Sequence, residues 1–477
     1  MKFLCDNVVI PPVDSLWKAV DVANATGGRV GSDWHATGVS IDSRTIRSGD
    51  LFIALRGPNF DGHDYVIDAL GRGASASLIS YKPKGLKKGA PLLEVKDTFA
   101  GLNQLGIAGR TRSKGRIIAV TGSVGKTSVK ETIAKLLSRQ GSVSFSLGSL
   151  NNQYGVPLSL SRLPEGSEFG VFELGMNHAG ELTNLSLMVR PLVAVVTTVE
   201  IAHLENFESL EEIARAKAEI FGGLQNGGVA ILNRDNLGFG ILKNTADSVG
   251  ADFLTFGSHK DADFKLTSFT LGPESSKVQV RFDGAELNYK LNIPGYHWIQ
   301  NSLAALAAIH SVGADVFEAA RSVASISPPK GRGLRHHVRA NNFDFELIDD
   351  SYNANPVSIV AALKVLSRVR ISSAGRRLAV LGDMLELGCE SRALHLKIAG
   401  EVTDNKVDLV YAVGLRMRDM FDALPDAKQA YWTETSEELL SVIISHLQHG
   451  DVVLVKGSLG ARMGLIVDEL LALGVEG

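Results

Sequence analysis

The sequence predicts an α/β chain of three units, each built on a largely parallel sheet. Three observations carry this. Short, nearly continuous apolar runs recur and alternate with stretches whose apolar residues repeat at helical spacing, as in sheets covered on both faces. A glycine-rich turn joins one such run to a helical stretch at 122–127. Polar stretches rich in Pro and Gly, Lys82–Pro91 and Ser327–Gly333, lie close to where the pattern restarts. A chain of 477 residues also exceeds what one core serves, which gives units at 1–95, 96–327 and 328–477.

The totals bound the class. The chain is 45% hydrophobic and 21% charged, ordinary for a globular protein, and its net charge of −3 gives no global pull toward nucleic acid or anionic membrane. Cys5 and Cys389 make no metal or disulfide pattern. Asp6 interrupts the N-terminal segment where a signal peptide is apolar, and no apolar run approaches spanning length. A cytoplasmic protein without membrane insertion is expected.

In the first unit, Gly38–Ile41, Asp50–Leu55 and Ala76–Ile79 read as strands. Asp42-Ser43-Arg44 follows one of them directly, the place where α/β units bind ligands. The alternative is a surface loop in which Arg44 pairs with Asp42 or Asp50.

The second unit opens on Ile117–Val120, a buried strand by its composition, followed by Thr121-Gly122-Ser123-Val124-Gly125-Lys126-Thr127-Ser128 and a helix running to Leu137. This order makes a phosphate cradle. Backbone N–H groups close around phosphate oxygens, the helix start adds positive potential, the lysine reaches the terminal phosphates and the threonine hydroxyl ligates Mg²⁺. Val120 stands where the usual pattern has a glycine, so this is a shortened P-loop. An ordinary strand–helix turn is the alternative.

Further strands follow at Phe169–Leu174, Leu192–Thr197 and Gly228–Leu232. Glu173 ends the first of these, where it either holds Mg²⁺ or is solvated. His203 lies one strand on. Ser209 and Glu212 have capping-box spacing, and Lys217 falls on the apolar stripe of the helix they start. A lysine there needs an acidic partner, a route to water, or a modification that removes its charge. On the helix that opens at Tyr296, His297, Asn301, Ala304 and Ala305 share a small face. It suits either a planar base or a close helix contact.

The third unit alternates strand and helix in Rossmann fashion, with strands at Phe345–Asp350, Leu378–Asp383, Leu409–Gly414 and Val452–Ser458. It lacks a Gly-x-Gly-x-x-Gly fingerprint. Asp350, Asp383 and Lys456 stand at strand ends suited to a ligand.

These motifs together resemble the Mur ligases, ATP-dependent ligases of cell-wall precursor synthesis. The resemblance spans nearly the whole chain. It rests on Thr121–Thr127, Glu173, Ala202-His203-Leu204-Glu205, Ala216-Lys217, Asn301, Gly331-Arg332 and Asp350. Asp349–Pro356, Leu381–Gly388, Asn151–Leu158 and Lys456–Ser458 resemble the branch that joins D-alanyl-D-alanine to UDP-N-acetylmuramoyl-tripeptide. Ser149 departs from the family, where an extra Asn often stands.

The resemblance implies a small α/β UDP-binding domain, a central P-loop ATPase-type parallel sheet and a C-terminal Rossmann-like domain. It implies ATP held by Gly122–Ser128 with Lys126, by Asn301 at the adenine, Arg332 at phosphate and Asp350 at the ribose. It implies two Mg²⁺ sites drawing on Thr127, Glu173, His203 and a carbamylated Lys217, with Lys126, His203 and Lys217 catalytic. Substrate contacts would come from Ser43, Arg44, Asn151, Asn152, Tyr352, Asn353 and Asn355, and the chain would act as a monomer. The competing readings are a family member that adds a different amino acid, a P-loop ATPase without ligase activity, and a non-catalytic nucleotide-sugar binder.

Overall fold

The computed structural model describes residues 15–200, 205–340 and 343–474. Three principal sheets carry the chain.

The first has five strands, in the order Arg29–Val30, Leu92–Glu94, Ala76–Ile79, Asp50–Ile53, Gly38–Ser40. All its pairs are parallel except that of Arg29–Val30 with Leu92–Glu94. The Pro/Gly-rich stretch at 82–91 therefore lies inside this sheet, linking two of its strands. Helix Thr98–Arg112 then leads onward, its first turn capped by Asp97, whose carboxylate accepts from Ala100 N–H.

The second sheet has nine strands. From Val143–Phe145 the order runs Phe169–Glu173, Arg116–Thr121, Val193–Val196, Val229–Asn233, Asp252–Gly257, Phe264–Leu271, all parallel. Ser276–Phe282 and Ala285–Leu291 then extend it antiparallel. The sequence reading lacks this extension. Its signals are the strict in–out alternation of Ser276–Phe282 and the Asp283-Gly284 turn, both residues at positive φ, as in a two-residue hairpin loop.

Strand Arg116–Thr121 shows why the sheet is apolar throughout. Ile118 and Val120 pack on one face with Ile133 and Leu303, from helices Lys126–Leu137 and Tyr296–Ser311. Ile117 and Ala119 pack on the other with Leu182 and Ile213, from Glu181–Val189 and Leu210–Ala218. Successive side chains alternate faces, so a doubly covered strand must be apolar at every position. The same strand lies between Phe169–Glu173 and Val193–Val196, and the chain leaves it in both directions. Such a switch point opens a crevice at the carboxyl ends of the strands.

The third sheet has six strands, in the order Leu334–Arg339, Asp344–Asp350, Val452–Lys456, Arg377–Gly382, Leu409–Val413, Gln429–Thr433. Only the first pair is antiparallel.

Two sequence details are corrected. Ser209 caps its helix by accepting from Glu212 N–H at 3.2 Å, but the Glu212 carboxylate turns to Glu208 N–H at 3.0 Å, so the capping box is half formed. Asp383 accepts from Met417 N–H at 2.7 Å and thereby holds the neighbouring strand's turn. It is absent from the cleft where its strand-end neighbours meet.

Candidate active site

The glycine turn is built by close approach. Gly122 has φ 148, and a Cβ there would sit 1.9 Å from Thr197 Oγ1. Gly125 has φ 84, and a Cβ would sit 2.6 Å from Asn301 Oδ1. Neither position accepts a side chain. The loop is bolted to the next strand's exit: Thr197 Oγ1 donates to Val124 O at 2.6 Å, Ser123 N–H to Thr198 O at 2.8 Å, and Ser123 Oγ to Glu200 O at 2.9 Å. Asn301 thus stands against the P-loop, joining a helix that was read from sequence as either base-facing or packed.

Lys126 begins the helix and donates to Gly122 O at 2.8 Å. Enclosure lowers its pKa below the ordinary lysine value. Glu173 opposes that shift, Arg332 adds to it, and Glu386 opposes it. Thr127 Oγ1 donates to Glu173 Oε2 at 2.7 Å, and Asn151 Nδ2 donates to Glu173 Oε1 at 2.7 Å. A hydroxyl, a carboxylate and an amide therefore meet beside the phosphate turn. Magnesium is commonly bound by one or two protein ligands plus phosphate oxygens and water, and the Thr127–Glu173 pair fits that role. Among the described residues no group of three or more His, Cys, Asp or Glu side chains gathers. His203, a predicted ligand, lies outside the described residues.

Lys217 is 1% exposed. No hydrogen bond or ion pair holds its ammonium among the described residues. Burial, and secondarily the charge of Lys126, lower its pKa well below the lysine norm. No acidic partner for it is found among the described residues, and the Lys126 charge acts on its ammonium.

The third unit supplies the opposite wall. Asp349 is fully buried and accepts from Gly331 N–H at 2.9 Å and Ser351 Oγ at 2.6 Å, which shapes the turn carrying Arg332. The Arg332 guanidinium lies 4.5 Å from the Tyr352 ring centroid and donates to Ser149 Oγ at 3.3 Å. Ser149 Oγ is 3.4 Å from Thr127 Oγ1. Lys456 Nζ donates to Asp350 Oδ2 at 2.7 Å and to Asn353 O at 3.0 Å. Burial raises the Asp350 pKa, and Lys456 opposes the shift.

These parts face one another across a cleft of about 440 Å³. Its lining includes Ser123–Ser128, Asn151, Glu173, Asn301, Arg332, Asp350, Tyr352, Asn353 and Asn355. Gly122 and Lys217 are outside the lining. Asn152 also lies outside, with Oδ1 accepting from Tyr154 and Gly155 N–H at the next helix start. Asn355 lines the cleft while forming a complete capping box with Ser358. Ser43 and Arg44 lie apart in the first unit: Ser43 is buried, and Arg44 pairs with Asp42 at 2.7 Å, the surface pairing allowed for in the sequence.

Sequence reasoning missed Asp349, Ser149 as a bridge, and Lys130. The last is fully buried, and its ammonium donates to Ser146 O and Gly148 O at 2.6 and 2.9 Å. Its only signal was a second lysine inside an otherwise apolar helix face.

The family models agree with this arrangement. The Mur ligase middle domain matches residues 120–309, the Mur ligase glutamate ligase domain 335–459, and the Mur ligase family catalytic domain 35–98. The UDP-N-acetylmuramoyl-tripeptide–D-alanyl-D-alanine ligase of Escherichia coli is 35% identical over 96% of this chain and 98% of its own. The chain belongs to the Mur ligase family. The ligase of the same description from Rickettsia prowazekii is 33% identical over 95% of this chain and 99% of its own. Among solved structures, MurF from Acinetobacter baumannii superposes with TM-score 0.82 at 30% identity, covering 97% of this chain and all of that one. MurF ligase from Thermotoga maritima in complex with ADP gives TM-score 0.74 at 26% identity over 91% of this chain and 97% of its own. The three-unit α/β architecture read from the sequence is that of this Mur ligase. No helix among the described residues is long and apolar enough to cross a membrane.

Proposed function

We propose that the chain joins D-alanyl-D-alanine to UDP-N-acetylmuramoyl-tripeptide with ATP, as an ADP-forming amide ligase of peptidoglycan precursor synthesis. One observation carries the reading beyond family membership. A single cleft faces the P-loop, Thr127 and Glu173 with Arg332 and Asp350 from another unit. A P-loop ATPase without a ligated product has no need of that second wall.

The reaction brings a carboxylate onto the γ-phosphorus of ATP, so one anion must approach another. Lys126 gives up its bond to Gly122 O and turns to the β- and γ-phosphate oxygens. Arg332, anchored through Asp349, neutralises charge from the far side. Asn301 and Asp350 bracket the base and ribose. Thr127 and Glu173 would hold one Mg²⁺, which supplies Lewis-acid neutralisation of the phosphates. The tripeptide carboxylate takes the phosphoryl group and becomes an acyl phosphate. The dipeptide amine then displaces phosphate from that carbonyl, and enclosure between the two units keeps water from competing.

Lys217 fits a carbamate. A neutral buried amine is the form that adds CO₂, and the product is an anion beside Lys126 instead of a second cation. With His203 it would contribute to a second Mg²⁺ position. Ser43 and Arg44 would contact the UDP-linked substrate in the first unit, with Asn151, Asn152, Tyr352, Asn353 and Asn355 completing the substrate path. Every wall of the cleft comes from one chain, which fits a monomer, and ATP with a UDP-linked precursor fits the cytoplasm. The test is mass spectrometry of a reaction containing UDP-N-acetylmuramoyl-tripeptide, D-alanyl-D-alanine and Mg-ATP. The expected product is the UDP-linked pentapeptide; ADP formation with unchanged tripeptide would overturn the assignment.

A further inference from the structure

The carboxylates lining the cleft, among the described residues, are Glu173, Asp350 and Glu386. Glu173 and Asp350 belong to the walls that the nucleotide reading already uses. Glu386 enters from the third unit, on the loop that follows strand Arg377–Gly382.

That loop is a rigid mount. Met384 N–H donates to His395 Nε2 at 3.0 Å, and Leu385 N–H donates to Ser458 Oγ at 2.9 Å. Met384 and Leu387 are buried in the third unit's core. Glu386 between them is exposed to the cleft, and its carbonyl accepts from Glu205 N–H of the second unit at 3.4 Å. Its φ is 64, a left-handed conformation that is strained for a non-glycine residue. Core packing asks for no carboxylate here, and strain of this kind persists where the surroundings impose it at functional positions. Glu386 and Lys126 line the same cleft, and the negative charge of Glu386 acts on the Lys126 ammonium.

The ligation needs a base in that cleft. The dipeptide's α-amine is largely an ammonium at neutral pH and has no lone pair in that form. We propose that Glu386 is a catalytic residue that binds the amine of the incoming dipeptide and takes its proton. The inference rests on the ligase reading above. The ammonium's first proton passes to Glu386, the freed lone pair forms the C–N bond to the acyl carbon, the C–O bond to phosphate breaks, and phosphate leaves with that electron pair and takes up the second proton the nitrogen sheds. Delivery from the third unit gives closure a chemical purpose, since the base arrives only with the wall that carries Arg332.

Hydroxylamine separates this role from phosphate handling, because it is mostly unprotonated at neutral pH and traps acyl phosphates as hydroxamates without help from a base. Enzyme, tripeptide substrate and Mg-ATP are supplied with either D-alanyl-D-alanine or hydroxylamine. For E386Q the ratio of hydroxamate to ligated product is expected to rise by about 100-fold or more, the span of general-base contributions. The loss should appear in kcat for the dipeptide, and E386D should recover part of it. An unchanged ratio in E386Q overturns the proposal, and so does loss of hydroxamate formation in both E386Q and E386D. Absence of ligated product from the unsubstituted enzyme is a separate result, which refutes the ligase reading and not the placement of Glu386.

Discussion

The hydroxyl of Thr127 donates to Glu173 at 2.7 Å, joining the P-loop helix to the end of the neighbouring strand. On the proposed metal role, Mg-ATP would displace this contact, while Asn151 at 2.7 Å orients the Glu173 carboxylate.

Glu173→Gln preserves the shape and an acceptor for Thr127 but removes the charge. Turnover should fall by about 10²–10³, the scale of losing one preorganised electrostatic contact, and the Mg²⁺ requirement should rise. A titration of rate against Mg²⁺ checks this; an unchanged requirement would remove Glu173 from the metal site.

Lys126→Ala should abolish ligation and acyl-phosphate formation alike, because no other described side chain of the loop carries a positive charge to the terminal phosphates. Near-normal turnover measured by ADP release would refute the phosphate role.

Lys217→Ala should be largely inactive and partly rescued by short carboxylic acids, which stand in for the lost carbamate. An unaffected variant would sink the modification. The same lysine predicts a pH effect on stability. Its pKa is lowered in the folded state, so the unfolded chain binds more protons above the folded pKa, and stability rises with pH until the ordinary lysine value near about 10.4 is reached. In CO₂-free buffer, Lys217→Met should flatten that rise. Denaturation midpoints of the two proteins across pH give the comparison; parallel profiles would contradict it.

Gly125→Ala would place a methyl 2.6 Å from Asn301 Oδ1 at a backbone φ of 84. ATP affinity should fall sharply while UDP-substrate binding persists, as read by separate calorimetric titrations. Equal loss of both would indicate general misfolding.

Much of this was legible in the sequence because period and punctuation coincide with physics. The doubly covered strands had to be apolar at every residue, and the glycine turn had to lie between strand and helix. Lys217 stood out because burying an ammonium is costly. The antiparallel extension at 276–291 escaped because alternation in a half-exposed strand is a weaker signal than a solid apolar run. The partnership of Ser149 with Arg332 escaped because those residues meet only through tertiary folding, 183 positions apart. Asp383 misled because a strand-end acid serves equally well as a ligand or as a cap for a neighbouring turn, and only the position of Met417 N–H distinguishes them.

The central claim is that the cleft transfers phosphate onto the tripeptide's carboxylate before the amide forms. Supplying tripeptide whose terminal carboxylate carries ¹⁸O at both oxygens, with Mg-ATP and D-alanyl-D-alanine, tests it through the mass of the released phosphate. One ¹⁸O atom should appear in each phosphate formed. Phosphate free of label, accompanied by ligated product, would contradict the account.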